Sequence, residues 1–166
     1  FFYLKRRLTE EEKTNLWLLG NKAIVFEKKK FRIYPQKNLF SHILGQIDDN
    51  NVGISGVEKF FDQDLKSEEL VNSSLVLTLD LNLQHLIREE LINAQADFNP
   101  IGSAALLMDV DNGAVLSLVS LPDYDLNRRF SISEDIYTNK ITKGVYELGS
   151  VFKTFTLAAG LENNVI

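Results

Sequence analysis

The sequence predicts an α+β fold in which helices pack on an antiparallel sheet, divided between two modules. Three observations predict it. Ser/Thr-x-x-Glu boxes at Thr9–Glu12 and Ser55–Glu58 mark two helix starts, since the hydroxyl can take an orphan amide and the glutamate can reach back to the cap amide. Leu83, Leu86, Ile87, Leu91 and Ala94 recur with the helical period and form one apolar stripe. Asp111-Asn112-Gly113 separates two apolar runs, a hairpin signal because Asn-Gly tolerates positive φ.

Taken in order, the first helix follows Thr9, carries Leu16, Trp17 and Leu19, and stops at Gly20. Residues 23–34 read as two short strands around Lys28-Lys29-Lys30, with Phe31 and Ile33 alternating against Arg32 and Tyr34 until Pro35. An apolar stretch from Leu39 to Ile47 leads into the turn-rich residues 48–53. The second capped helix runs through Phe60, Phe61 and Leu65. A polar stretch from Lys66 to Ser74 then sets a module boundary near residue 72. The second module opens with a strand at residues 75–79, and Asp80 N-caps the striped helix. Asn99-Pro100-Ile101-Gly102 breaks the chain before strands at 103–110 and 114–120. A polar loop runs from Pro122 to about Val145. A last helix starts near Ser150, with Phe152, Phe155, Thr156 and Ala159 on one side.

Composition narrows the function classes. A net charge of -5 spread along the chain points away from nucleic acid. With no cysteine, a disulfide framework, a thiolate metal site and a cysteine nucleophile are excluded. His42 lies in an apolar stretch and His85 in a helix pattern, so neither reads as a metal ligand. No segment has the ~18 apolar residues that span a bilayer. The chain begins mid-pattern and ends in an apolar run, so it reads as a piece of a longer protein.

Ser150 and Lys153 form the one S-x-x-K that could carry chemistry. Residues three apart on a helix share a face, which brings the lysine amine toward the serine hydroxyl. Serine is a weak nucleophile until a base takes its proton. Lysine can be that base only when neutral, which requires burial or nearby positive charge. The positive end of a helix dipole works in the same direction. Gly149 lets the backbone approach a substrate closely. By itself the motif is weak, because about one is expected by chance in a chain this long.

Its context is more specific. The segment Tyr146-Glu147-Leu148-Gly149-Ser150-Val151-Phe152-Lys153-Thr154-Phe155-Thr156 closely resembles the nucleophile segment of class B penicillin-binding proteins. There the usual form is Tyr-Glu-Pro-Gly-Ser-Thr-Phe-Lys, a short spacer and Thr. Leu148 and Val151 depart from it at positions that supply no catalytic group. Val76-Leu77-Thr78-Leu79-Asp80 with Leu83-Gln84 resembles the strand and helix that open the family's transpeptidase domain, and Asp109 through Pro122 resembles its central hairpin. Asp123-Tyr124-Asp125, Asn127 and Asn139 match positions between that hairpin and the nucleophile. Arg32-Ile33-Tyr34-Pro35 and Gly53-Ile54-Ser55-Gly56-Val57-Glu58 resemble motifs of its non-catalytic pedestal.

The resemblance implies a pedestal part at residues 1–72, followed at 73–166 by the first part of an incomplete transpeptidase domain. It implies a serine D,D-transpeptidase of septal peptidoglycan synthesis, the division-type subclass being favoured by the short first module. Ser150 would attack the D-Ala-D-Ala carbonyl of a stem peptide, with Lys153 taking the proton. An amine of a neighbouring stem peptide would resolve the acyl-enzyme, and β-lactams would trap it. No metal or organic cofactor is implied. An anchor absent from this chain would hold the protein in the cell inner membrane with its catalytic domain on the periplasmic side, beside a membrane glycosyltransferase and division proteins. The family's Ser-x-Asn and Lys-Thr/Ser-Gly motifs do not occur in the thirteen residues after Lys153, so this stretch is expected to acylate poorly without them. An Arg32–Glu58 pair is implied as structure, and Glu147 as a loop-ordering residue. Asp80, Asp109 and Asp111 read as cap and turn residues, and Trp17 and the phenylalanines as core. Two other classes compete: a β-lactam sensor domain, which should lack the Arg32-to-Pro35 motif, and a non-catalytic scaffold or truncated relic. A class D β-lactamase shares the S-x-x-K without the pedestal.

Overall fold

The computed structural model describes residues 2–5, 8–29, 31–67, 74–128 and 133–166. These form two compact units, Phe1–Arg32 and Ile33–Ile166. The boundary expected near residue 72 lies outside the described residues.

In the first unit, helix α1 spans Glu10–Leu18 and opens on the expected capping box. The Thr9 hydroxyl accepts from the Glu12 amide, and the Glu12 carboxylate accepts from the Thr9 amide. Lys5 pairs with the same glutamate. Trp17 is exposed rather than core. The two strands expected in residues 23–34 do not form among the described residues. A lone hairpin is marginal in water without a sheet to join, and the backbone of Tyr34, at the end of the run, is engaged by the side chain of Asn127 instead.

The second unit is organised around one helix and one hairpin. Helix α5, Leu81–Phe98, starts at Asp80, whose carboxylate accepts from the Asn82 and Leu83 amides. It ends at Asn99 in the left-handed conformation. Strands β1 (Ser103–Met108) and β2 (Val115–Leu121) pair antiparallel, from Ser103 opposite Leu121 to Met108 opposite Val115, with an irregularity between Leu107 and Met108. The turn is shaped by Asp109, whose carboxylate takes the Asp111 amide and the Asn112 side chain, and by Gly113 at φ 74°. Only Gly113, not Asn112, uses positive φ there.

Helix α5 packs on the hairpin, and Gln84 is the pivot. Its side chain is 1% exposed. The carboxamide oxygen accepts from the Leu118 amide (3.0 Å) and the Ser117 hydroxyl (2.8 Å). The carboxamide nitrogen donates to the carbonyls of Leu118 and Leu39, both at 2.8 Å. Gln84 thus pairs with the free edge of β2 as a neighbouring peptide unit would. This explains why the strand expected at residues 75–79 does not form. That segment touches β2 through the Thr78 hydroxyl on Val115 and the Asp80 amide on Leu116. Beyond that point Gln84 occupies the groups a strand would need.

Short helices complete the unit: α2 (Ser41–Leu44), α3 (Gly56–Phe60), α4 (Asp62–Lys66), α6 (Glu134–Tyr137) and α7 (Lys153–Glu162). The second capping box is not formed, and the expected single helix divides at Phe61. The Ser55 hydroxyl turns to accept the Gln46 amide, while Glu58 is buried and accepts from the Tyr34 hydroxyl at 3.1 Å. Tyr34, Tyr124 and Leu126 form the core, with Leu44, Ile136 and Tyr137 packed against it. Asn127 repeats the device of Gln84, its carboxamide accepting from the amide and donating to the carbonyl of Tyr34. Arg88 on α5 grips Asp123 through two nitrogens, and Asn38 donates to the same carboxylate. No described helix is long and apolar enough to cross a membrane.

Two outcomes follow from this packing. Gln84→Leu removes the partner of four polar groups, the buried Ser117 hydroxyl and three part-buried backbone groups of Leu118 and Leu39, so it should lower unfolding stability by about 3 kcal/mol. Urea titration reads this, and an unchanged midpoint would contradict the assigned role. His42 sits against Tyr124, with its Nε2 2.8 Å from the Ile136 carbonyl. Burial pushes its pKa below the ordinary 6.5, with Lys140 adding to the effect and the Ile136 carbonyl and Asp123 opposing it. The unfolded chain therefore takes the proton first, so stability is full above about pH 6.5 and falls as pH drops through the folded-state value. His42→Gln should flatten that acid slope in urea midpoints measured between pH 8 and pH 5. An equally steep slope in the variant would exclude His42 as its source.

Candidate active site

The stretch carrying Ser150 and Lys153 begins at the sheet. Lys140 donates its amide to the buried Ser120 hydroxyl on β2 at 3.0 Å. Asn139 caps the turn that follows, accepting from the Ile141 and Thr142 amides and donating to the His42 carbonyl. The Tyr146 hydroxyl then donates back to the Lys140 carbonyl at 3.0 Å. Between Tyr146 and β1 lies a cavity of about 320 Å³ lined by Gly102, Ser103, Ala104, Lys140, Ile141 and Tyr146. The Ser103 hydroxyl is buried beside it without a hydrogen-bond partner among the described residues.

The segment around Ser150 enters its helix through a tighter turn. Gly149 adopts φ 56°, a left-handed conformation that favours glycine, and a Cβ there would meet nothing within 4 Å. A 3₁₀ turn spans Gly149–Phe152, and α7 takes over at Lys153. The Lys153 amide donates to the Ser150 carbonyl. Ser150 and Lys153 thus stand three residues apart across the passage from the 3₁₀ turn into α7, a spacing that favours a shared face in either kind of helix. Both are exposed, and no hydrogen bond joins their side chains among the described residues. Phe152 and Phe155 stack at 5.5 Å but are exposed too, so the expected apolar side of α7 is uncovered here.

The remaining candidates are structural. Asp80 caps α5, Asp109 shapes the hairpin, and Glu58 holds Tyr34. No cluster of three His, Asp or Glu side chains suited to a metal ion occurs among the described residues. Sequence reasoning missed Tyr146 as a tether and Gln84 as a buried hub. A hydroxyl contact between residues six apart across a turn leaves no periodic trace, and a lone glutamine on a helix reads as surface.

Comparison with known proteins adds to this geometry. The model of the penicillin binding protein transpeptidase domain matches residues 103–166, which include both Ser150 and Lys153. The chain is 33% identical to the "Probable peptidoglycan D,D-transpeptidase FtsI" of Caulobacter vibrioides over 159 residues, covering 95% of this chain and 27% of that protein. It is 29% identical to "Stage V sporulation protein D" of Bacillus subtilis, covering 97% of this chain and 29% of that one. It is 27% identical to "Peptidoglycan D,D-transpeptidase FtsI" of Escherichia coli, covering 100% and 32% respectively. The chain therefore spans about a third of the length of these relatives.

Proposed function

The chain belongs to the class B penicillin-binding proteins of the cell-division type, and from that membership we propose that the whole protein cross-links septal peptidoglycan as a serine D,D-transpeptidase. What supports the reading is that Ser150 and Lys153 stand three residues apart where a 3₁₀ turn after left-handed Gly149 passes into α7, within the residues matched to the transpeptidase domain.

In this reading Ser150 Oγ attacks the penultimate D-Ala carbonyl while Lys153 takes its proton. The C–N bond breaks, D-Ala leaves with that proton, and an ester links Ser150 to the shortened stem peptide. The amine of a second stem peptide attacks the ester, forms the cross-link and frees Ser150. A β-lactam opens on Ser150 by the same attack but leaves slowly. Residues 1–72 serve as part of a non-catalytic pedestal, supported by the match of relatives across nearly the whole chain. An anchored, periplasmic setting beside a membrane glycosyltransferase and other division proteins belongs to the same proposal.

Fluorescent-penicillin labelling of the full-length protein tests it. Ser150→Ala should abolish the label, and Lys153→Ala should slow acylation by roughly 10²–10⁴-fold, the range of a general base. Labelling indifferent to Ser150 would move the function to a non-catalytic scaffold.

A further inference from the structure

We propose that Tyr146 is a positioning residue for the nucleophile, its hydroxyl fixing where the Ser150 turn leaves the sheet; this rests on the acyl-enzyme reading above. Among the described residues, the Tyr146–Lys140 hydrogen bond is the one that joins residues 145–166 to the rest of the protein. The other hydrogen bonds of that stretch are local, such as Thr154 to Val151 and Asn163 to Ala159. Its acceptor is held firmly. Lys140 is bound by its amide to buried Ser120 and by its ammonium to the Asp135 carbonyl, and its side chain lies over Gly102.

The approach of the ring is also shaped from below. A Cβ on Gly144 would stand 2.3 Å from the Tyr146 hydroxyl and 2.2 Å from the Lys140 carbonyl, so glycine there makes room for the contact. Three residues beyond Tyr146, a Cβ added at the left-handed Gly149 would meet nothing within 4 Å, so no side-chain packing is available there to steer the turn. The direction of Ser150 is therefore set upstream, at Tyr146. Tyr146 touches neither Ser150 nor Lys153 through any hydrogen bond among the described residues, so it acts through the backbone.

The test uses the full-length protein and penicillin, separating the non-covalent affinity from the acylation rate constant by rapid mixing. Tyr146→Phe keeps the ring and removes the donor. It should slow acylation about tenfold, within the up to ~10²-fold that a misplacement of about 1 Å can cause, with affinity and melting temperature unchanged. Gly144→Ala should slow the same step, and the double variant should be no slower than Gly144→Ala, because both changes break one contact. Wild-type acylation by Tyr146→Phe, with Ser150→Ala silent, would overturn the positioning role alone. Single losses that multiply in the double variant would overturn it as well. Continued acylation of Ser150→Ala would instead remove the reading on which the proposal rests.

Discussion

The buried carboxamide of Gln84 is the interaction on which the second unit depends. A two-stranded sheet has two open edges, and each unpaired N–H and C=O on them must find a partner or remain wet. On β2 the partner is a side chain. Gln84 takes both backbone groups of Leu118, uses its second N–H for Leu39 and its second lone pair for Ser117. All four of its hydrogen-bonding positions are filled, which is why a polar group can sit there at 1% exposure. The same residue therefore fixes the axial position of α5, closes the sheet edge and brings the segment around Leu39 against both. Asn127 performs the equivalent task for Tyr34, and the Arg88–Asp123 pair keeps the intervening loop beside α5. Primary amides suit this work because they carry the donor and acceptor of a peptide group without its chain.

From that hub a short line of contacts runs to the candidate nucleophile. Ser120, buried on β2, places Lys140; Lys140 receives Tyr146; and Tyr146 precedes the left-handed Gly149 and the 3₁₀ turn. Each link is a single hydrogen bond between groups whose neighbours are already fixed. Positional information is thus passed from a packed sheet into a stretch that has little packing of its own.

What could be read from the sequence divides along the same line. Features decided by neighbours in the chain are where the residues said they would be: the Thr9–Glu12 box, the Asp80 cap, the Gly113 turn and the Leu83-to-Ala94 helix. Features that depend on a distant partner are not. Ser55 and Glu58 have the spacing of a capping box, but Gln46 and Tyr34 compete for them and win. Residues 75–79 have the composition of a strand, but Gln84 already holds the edge they would join. The alternation at Phe31 and Ile33 joins no strand among the described residues. At the candidate site, the spacing of Ser150 and Lys153 is local and was legible, whereas the Tyr146 tether depends on Lys140, which the sheet holds through Ser120.

The least self-sufficient element is also the one proposed to carry the chemistry. Along α7 and the turn before it, Val151, Phe152, Phe155, Leu157 and Leu161 are exposed, a density of apolar surface that a folded protein normally covers. A lysine can accept the proton of a serine only when its charged form is disfavoured, and desolvation is one of the few means of doing so. Covering α7 would remove water from the Phe152 ring and, at the adjacent residue, from the Lys153 stem. Within the proposed function, the burial that stabilises the helix and the burial that prepares the base are therefore one event. In that reading, a nucleophile segment tethered by one hydrogen bond among the described residues would be oriented before that event and made reactive by it.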